Sequence, residues 1–278
     1  MPKPRLATAV GLSLLLLPLG VAPAIAAAAA TTAAPVATQK ATPAKARSGR
    51  RTEEPSGVVE PAALRALQRM SGFLGTLTTF EVTSENSRDL VTSDGQRLTL
   101  DGVASYKVRR PDGFVIDVNS DAKKRSYYYN GKTFTVFAPD LNYYASAPAP
   151  PTIPETLDVL YERFGIALPL EDLFRWNDPS AHRAESLQSG VFVGTGAVDG
   201  VATDQYAFRE GDIDWQIWIQ HDGDPLPRKV VIIDRTDGAH PAYTAVLTWN
   251  VSPTLTADDF TFHPGKDAKL IRLTSAAQ

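Results

Sequence analysis

From residue 79 to residue 251 the apolar residues mostly recur at every second position, and turn signals interrupt them at short intervals. Nothing else in the chain restricts the fold so strongly. A period of two places side chains alternately on the two faces of an extended strand, one suited to a core and one to water. The segments 79–85, 97–109, 114–118, 125–129 and 133–137 read this way and are rich in β-branched and aromatic residues. A second group follows at 190–198, 203–209, 215–220, 229–234 and 243–251. In the last, Tyr243, Ala245, Leu247, Trp249 and Val251 alternate with Thr244, Val246, Thr248 and Asn250. Trp215, Ile217 and Ile219 alternate likewise, with Trp218 an exception on the polar face. These are half-buried antiparallel strands.

The turns between them carry their own chemistry. Asp94-Gly95, Pro111-Asp112-Gly113 and Asn130-Gly131 separate the first five segments. Asn-Gly favours a two-residue type I′ hairpin. With that loop, Tyr129 faces Lys132 and Tyr127 faces Phe134. Tyr127, Tyr129, Phe134 and Val136 then share one face, and Tyr128, Thr133, Thr135 and Phe137 share the other. The aromatics either pair across strands because they fit there or line a surface for a ligand; the first reading is the more economical.

Two stretches break the period of two. Over 58–77, Val59, Ala63, Leu67 and Met70 recur at helical spacing, with Leu64, Phe73 and Leu74 beside them. Pro61 suits the first turn, and Gly72 and Gly75 mark the end. A Pro-rich break at 147–151 leads to a second helix, opened by Pro154-Glu155. Leu157, Leu160, Tyr161 and Phe164 fall on one side of it before Gly165. Another short turn or helix begins over 168–176. One helix before the strands and a helical insert between two groups of strands predict an α+β fold. A sheet of about ten strands must curl, and its concave face needs a cover that the helices can supply.

The first residues read as address and tether. Lys3 and Arg5, an apolar run from Leu6 to about Leu19, and Ala24-Ile25-Ala26 form the three regions of a signal peptide over 1–26. The apolar run is shorter than the ~18 residues that span a bilayer, and no other segment approaches that length. Residues 27–56 are an Ala, Thr and Pro linker with scattered lysines and arginines, too poor in apolar side chains to fold. Residues 1–55 hold seven basic and two acidic side chains, whereas the rest hold 21 basic and 29 acidic. The linker is either a solvated spacer or a contact for anionic lipid or cell wall. Residues 57–278 are expected to form one domain.

Composition excludes several classes of function. The chain has no cysteine, hence no disulfide, thiol nucleophile, iron–sulfur cluster or lipidated cysteine. His182, His221, His240 and His263 show no metal-ligand spacing. No nucleophile elbow, zinc helix or phosphate loop is present. His221-Asp222-Gly223-Asp224-Pro225 is a turn sequence without the ladder of a calcium loop. Asp212 and Asp214 read as solvated carboxylates. Lys123-Lys124-Arg125 is one short basic cluster in an acidic domain, unlike a nucleic-acid surface. No cofactor and no metal are expected.

Three stretches carry a resemblance. They are 64–70 leading into the first strand, Tyr129-Asn130-Gly131-Lys132-Thr133-Phe134 running on to Pro139-Asp140-Leu141-Asn142, and 215–234 followed by Phe260-Thr261-Phe262-His263-Pro264-Gly265. In this order they resemble the periplasmic lipoprotein-carrier superfamily of LolA/LolB-like fold, and within it an uncharacterised family of predicted periplasmic proteins. The resemblance implies an open antiparallel half-barrel of ten or eleven strands, lidded by helices, whose apolar cavity takes acyl chains. It implies a binding protein, not an enzyme, in the periplasm, with an acyl lipid or a lipoprotein as partner. The cavity-facing candidates are Phe114, Ile116 and Val118 on the sheet, joined by Trp215, Ile217, Leu247 and Trp249, with Leu157, Leu160 and Phe164 from the lid. The alternative for each is ordinary core. An envelope-stress regulatory or protein-interaction module of the same fold, with an inner- or outer-membrane protein as partner, is the rival function, and a carboxylate-based glycan hydrolase is a third. The protein is expected to be monomeric.

Overall fold

The structure, a computed structural model, describes residues 57–171 and 186–274. The signal peptide, the linker and the end of the 168–176 segment lie outside the described residues. Two helices and twelve strands occur in chain order: α1 (Pro61–Thr76), β1 (Thr79–Val91), β2 (Arg97–Arg109), β3 (Gly113–Ser120), β4 (Lys124–Tyr129), β5 (Thr133–Ala138) and β6 (Tyr143–Pro148) come first. Then follow α2 (Ile153–Phe164), β7 (Leu187–Val198), β8 (Val201–Glu210), β9 (Ile213–Gln220), β10 (Pro227–Asp234), β11 (Ala242–Asn250) and β12 (Lys269–Leu270).

All twelve strands belong to one open sheet, in the order β12-β6-β5-β4-β3-β2-β1-β11-β10-β9-β8-β7. Two meanders, β1 to β6 and β7 to β11, are each built from neighbours in sequence. One long-range antiparallel pairing joins them, running from Glu81↔Asn250 to Arg88↔Tyr243. Every pair is antiparallel except β12 with β6. The expected α+β architecture with an open antiparallel sheet is therefore present, with twelve strands in place of ten or eleven.

The additional strands are β6 and β12. β6 occupies part of the stretch expected to be a break, and its Ala145 and Ala147 hide the alternation that larger apolar residues would show. Pro148 closes the strand at its last position, where proline is tolerated. Helix α1 starts at Pro61, not at residue 58, because residues 58–60 run along the edge of β7. There Glu60 N–H donates to the Gly190 carbonyl (2.7 Å) and Gly190 N–H to that of Val58 (3.2 Å). The second helix has the expected bounds for clear reasons. The Thr152 hydroxyl caps it and pairs with Glu155, while Gly165 ends it in the left-handed region at φ 64°.

The β4–β5 hairpin keeps the expected faces but not the expected register. Tyr129 pairs with Phe134 and Tyr127 with Val136, one pair further along than an Asn130-Gly131 loop would set. The Asn130 side chain decides this. Its Oδ1 accepts from the N–H groups of Lys132 (3.2 Å) and Thr133 (3.0 Å), so Asn130 opens the turn and does not sit at its tip. Of the turn residues only Gly131 takes a positive φ, 84°, whereas type I′ needs two. A Cβ on Gly131 would also approach Asp112 to 3.1 Å. Gly131→Ala is expected to lower stability by about 1–2 kcal/mol, read as a shift in the urea midpoint at unchanged slope.

One face of the sheet is covered by both helices. Under α2 lies a buried cluster that includes Phe80, Tyr106, Phe114, Ile116, Tyr129 and Phe134. Under α1, Ala63, Ala66, Met70 and Leu74 pack on Tyr206, Phe208, Ile217 and Ile219. The opposite face is convex and covered only in part. There the C-terminal segment lays Phe262 against Tyr128, Phe137 and Tyr144, at 5.1–5.3 Å between ring centres.

Candidate functional site

The two helices each bury their own apolar stripe, and the seam between them is the feature of interest. Leu77, Trp215, Val230 and Trp249 pack against both clusters and remain only partly buried. Their rows are set by strand register: Val82 pairs with Trp249 across β1 and β11, and Ile232 with Trp215 across β10 and β9. The indoles are held in place. Trp249 Nε1 donates to the Pro227 carbonyl at 2.8 Å and its ring meets Phe80 at 5.7 Å, while Trp215 stacks on Phe208 at 4.3 Å.

The ten candidates from the sequence fall on this covered face. Phe114, Ile116, Leu157, Leu160 and Leu247 are fully buried in the α2 cluster. Val118 and Phe164 lie at its partly exposed margin. Ile217 sits instead under α1, and Trp215 and Trp249 bridge the two clusters. The aromatic face of the hairpin is core: Tyr127, Tyr129 and Phe134 are all buried, and Tyr129 donates its hydroxyl to the Pro150 carbonyl at 2.6 Å.

Arg110 was not legible as part of the site. It precedes Pro111 in what reads as a turn, yet its guanidinium donates to the carbonyls of Leu74 (2.5 Å) and Leu77 (3.0 Å) at the end of α1. It also lies over the Phe80 ring at 5.2 Å. A cation at a helix C-terminus answers the carbonyls left without partners there. Burial lowers its pKa to about 10, so it stays charged at neutral pH.

Polar groups are few on this face and gather toward one end. Ser84 is fully buried and faces the Tyr243 hydroxyl, whose pKa burial pushes up to about 12. Burial likewise raises those of Tyr106 and Tyr127. Such phenols stay neutral at neutral pH. Elsewhere Asp214 remains partly exposed and is paired with Arg209 at 2.6 Å. The His221–Pro225 segment is a turn, with Gly223 at φ 73° and the His221 ring 3.0 Å from Asp204. Among the described residues no group of three acidic or histidine side chains could hold a metal. A separate cleft outside the seam is lined by Ala62, Arg65, Gln68, Arg69 and Tyr206. The seam thus presents partly buried apolar side chains, with hydroxyls toward one end of the covered face.

No helix among the described residues is long and apolar enough to cross a membrane. No curated protein matches the chain. Among solved structures, the lipoprotein LppX from Mycobacterium tuberculosis is similar at 14% identity and a TM-score of 0.46, over 71% of this chain and 100% of that one. LprF from Mycobacterium bovis matches at 14% and 0.41, over 72% and 97%. A LolA superfamily protein from Nitrosomonas europaea matches at 10% and 0.35, over 72% and 97%. The model of a family described as "Predicted periplasmic protein (DUF2092)" matches residues 63–274, and the chain belongs to that family.

Proposed function

We propose that the protein is an exported carrier-like binder of an acyl lipid or a lipid-modified protein, holding the acyl chain along the seam between α1 and α2. The observation that carries this reading is the seam itself. Two helices cover one concave face, and the apolar side chains between them, Leu77, Trp215, Val230 and Trp249, are left half-covered. Burying an acyl chain yields about 0.8 kcal/mol per methylene, so such a surface suffices without catalytic groups. Residues 1–26 would direct export and 27–56 would tether or space the domain. The family description as periplasmic supports the compartment.

Native mass spectrometry with organic extraction, on protein purified from its own compartment, tests the reading. A reproducible adduct identified as an acyl lipid is expected, and an added fluorescent fatty acid should displace it. A clean protein mass together with no uptake of the fluorescent fatty acid would overturn the proposal.

A further inference from the structure

Strand register brings three cations to one end of the covered face. Arg125 on β4 pairs with Val118, which pairs with Ala104, which pairs with the buried Ser84. One row further out, Asn86 pairs with Gly102 and Gly102 with Ser120, whose N–H donates to the Lys123 carbonyl in the β3–β4 turn. Beyond that, Arg88 pairs with Tyr243 on one side and Leu100 on the other. Side chains two residues apart on a strand share a face, so Arg88 on β1 and Arg125 on β4 stand on the side that the helices cover, and Lys123 lies in the adjoining β3–β4 turn. Gly102 lies between them, where a Cβ would meet Ser120 at 2.9 Å.

The three are close enough to disfavour one another's charge. Burial, and after it Arg88 and Arg125, hold the Lys123 ammonium below its ordinary pKa. Arg88 acts on the Tyr243 hydroxyl and Arg125 on that of Tyr127, so the cations border the phenols that end the apolar face. Yet the domain is acidic overall, and among the described residues no carboxylate forms an ion pair with any of the three. Asp121, in the same turn, is spent on the N–H of Asp101 (3.0 Å). Asp89 accepts from Ala242 N–H and pairs with Arg97. Cations grouped without acidic partners, at the end of an apolar surface and behind a band of hydroxyls, form the complement of an anionic amphiphile.

We infer that Arg88, Lys123 and Arg125 receive the anionic headgroup, a phosphate or carboxylate, of the amphiphile whose acyl chain lies on the covered face. The inference deepens the proposed function and rests on it. The full chain is titrated with monoacyl phosphatidylglycerol, with monoacylglycerol of the same chain, and with glycerol 3-phosphate, by isothermal calorimetry. The phospholipid is expected to bind at least about ten-fold more tightly than the neutral lipid. That advantage should fall to within about two-fold in the Arg88→Gln/Lys123→Gln/Arg125→Gln variant, with neutral-lipid affinity unchanged, and shrink at high salt. If the triple variant does not fold, Lys123→Gln alone should lose about three-fold for the phospholipid only.

Equal binding of the charged and neutral lipids overturns the headgroup site and leaves the acyl reading standing. An advantage that survives the triple variant overturns it too. Glycerol 3-phosphate binding as tightly as the phospholipid makes the site one for a free anion, not for an amphiphile. Binding of neither lipid overturns the acyl reading and this inference with it.

Discussion

Replacing Phe114 by alanine is expected to lower the stability of the protein by about 3–5 kcal/mol. The side chain has no solvent exposure and sits centrally in the α2 cluster. Its ring lies 5.2 Å from that of Tyr129 and 6.4 Å from that of Phe134, both tilted in the way aromatic pairs favour. Strand pairing to Val108 and Tyr129 fixes its backbone on both sides, so the sheet cannot close over the missing ring. The loss is therefore both the transfer energy of the ring and the cavity it leaves. Urea denaturation of Phe114→Ala against Phe114→Leu reads the difference, with the leucine expected to cost well under half as much. A loss below about 1 kcal/mol for alanine would show that the ring borders space already empty, and would move Phe114 from core to cavity wall.

Arg110→Ala should have the second largest effect, a loss of about 2–3 kcal/mol felt mainly at α1. The substitution removes both donors to the Leu74 and Leu77 carbonyls and the cation above Phe80. Arg110→Lys keeps the charge but not the planar guanidinium that lies over Phe80 while Nη1 donates to both carbonyls, and should recover less than half. Hydrogen exchange separates this from a general loss: amides in the last turns of α1 should lose protection while those of β2 and β3 keep theirs. An effect within about 0.5 kcal/mol, the range of an ordinary surface substitution, would mean that α1 is held by its buried apolar face without help from Arg110. Since α1 forms one wall of the seam, the same variant should also take up the fluorescent fatty acid faster if the helix must move to admit it.

The strands were legible because their pattern is local. Tyr243 to Val251 alternates, and β11 extends over nearly that span with Tyr243, Ala245 and Leu247 buried. β6 was not, because Ala145 and Ala147 are too small to mark a face. The Asn130-Gly131 signal announced a hairpin correctly but misplaced its register, since an Asn side chain can replace a backbone turn partner. Residues 58–60 carry a helical period with α1, yet an edge of β7 was available to pair with them. Of the site, the apolar members could be named from their faces. The cations could not, because Arg88 lies 37 residues before Arg125 with two strands between them.

The sequence by itself determined most of the elements: ten of the twelve strands, where the two helices lie, and which face of each is apolar. Those follow from side-chain periods and turn residues, which act over a few positions. Only the tertiary structure decided that β1 pairs with β11, which merges two meanders into one sheet of twelve strands. It alone also decided that the two helices lie on the same face with half-covered tryptophans between them, that Arg110 holds the end of α1, and that Arg88 and Arg125 come to the same end of the covered face. Each of these joins residues far apart in the chain through burial and register, and neither is encoded in any single window of sequence.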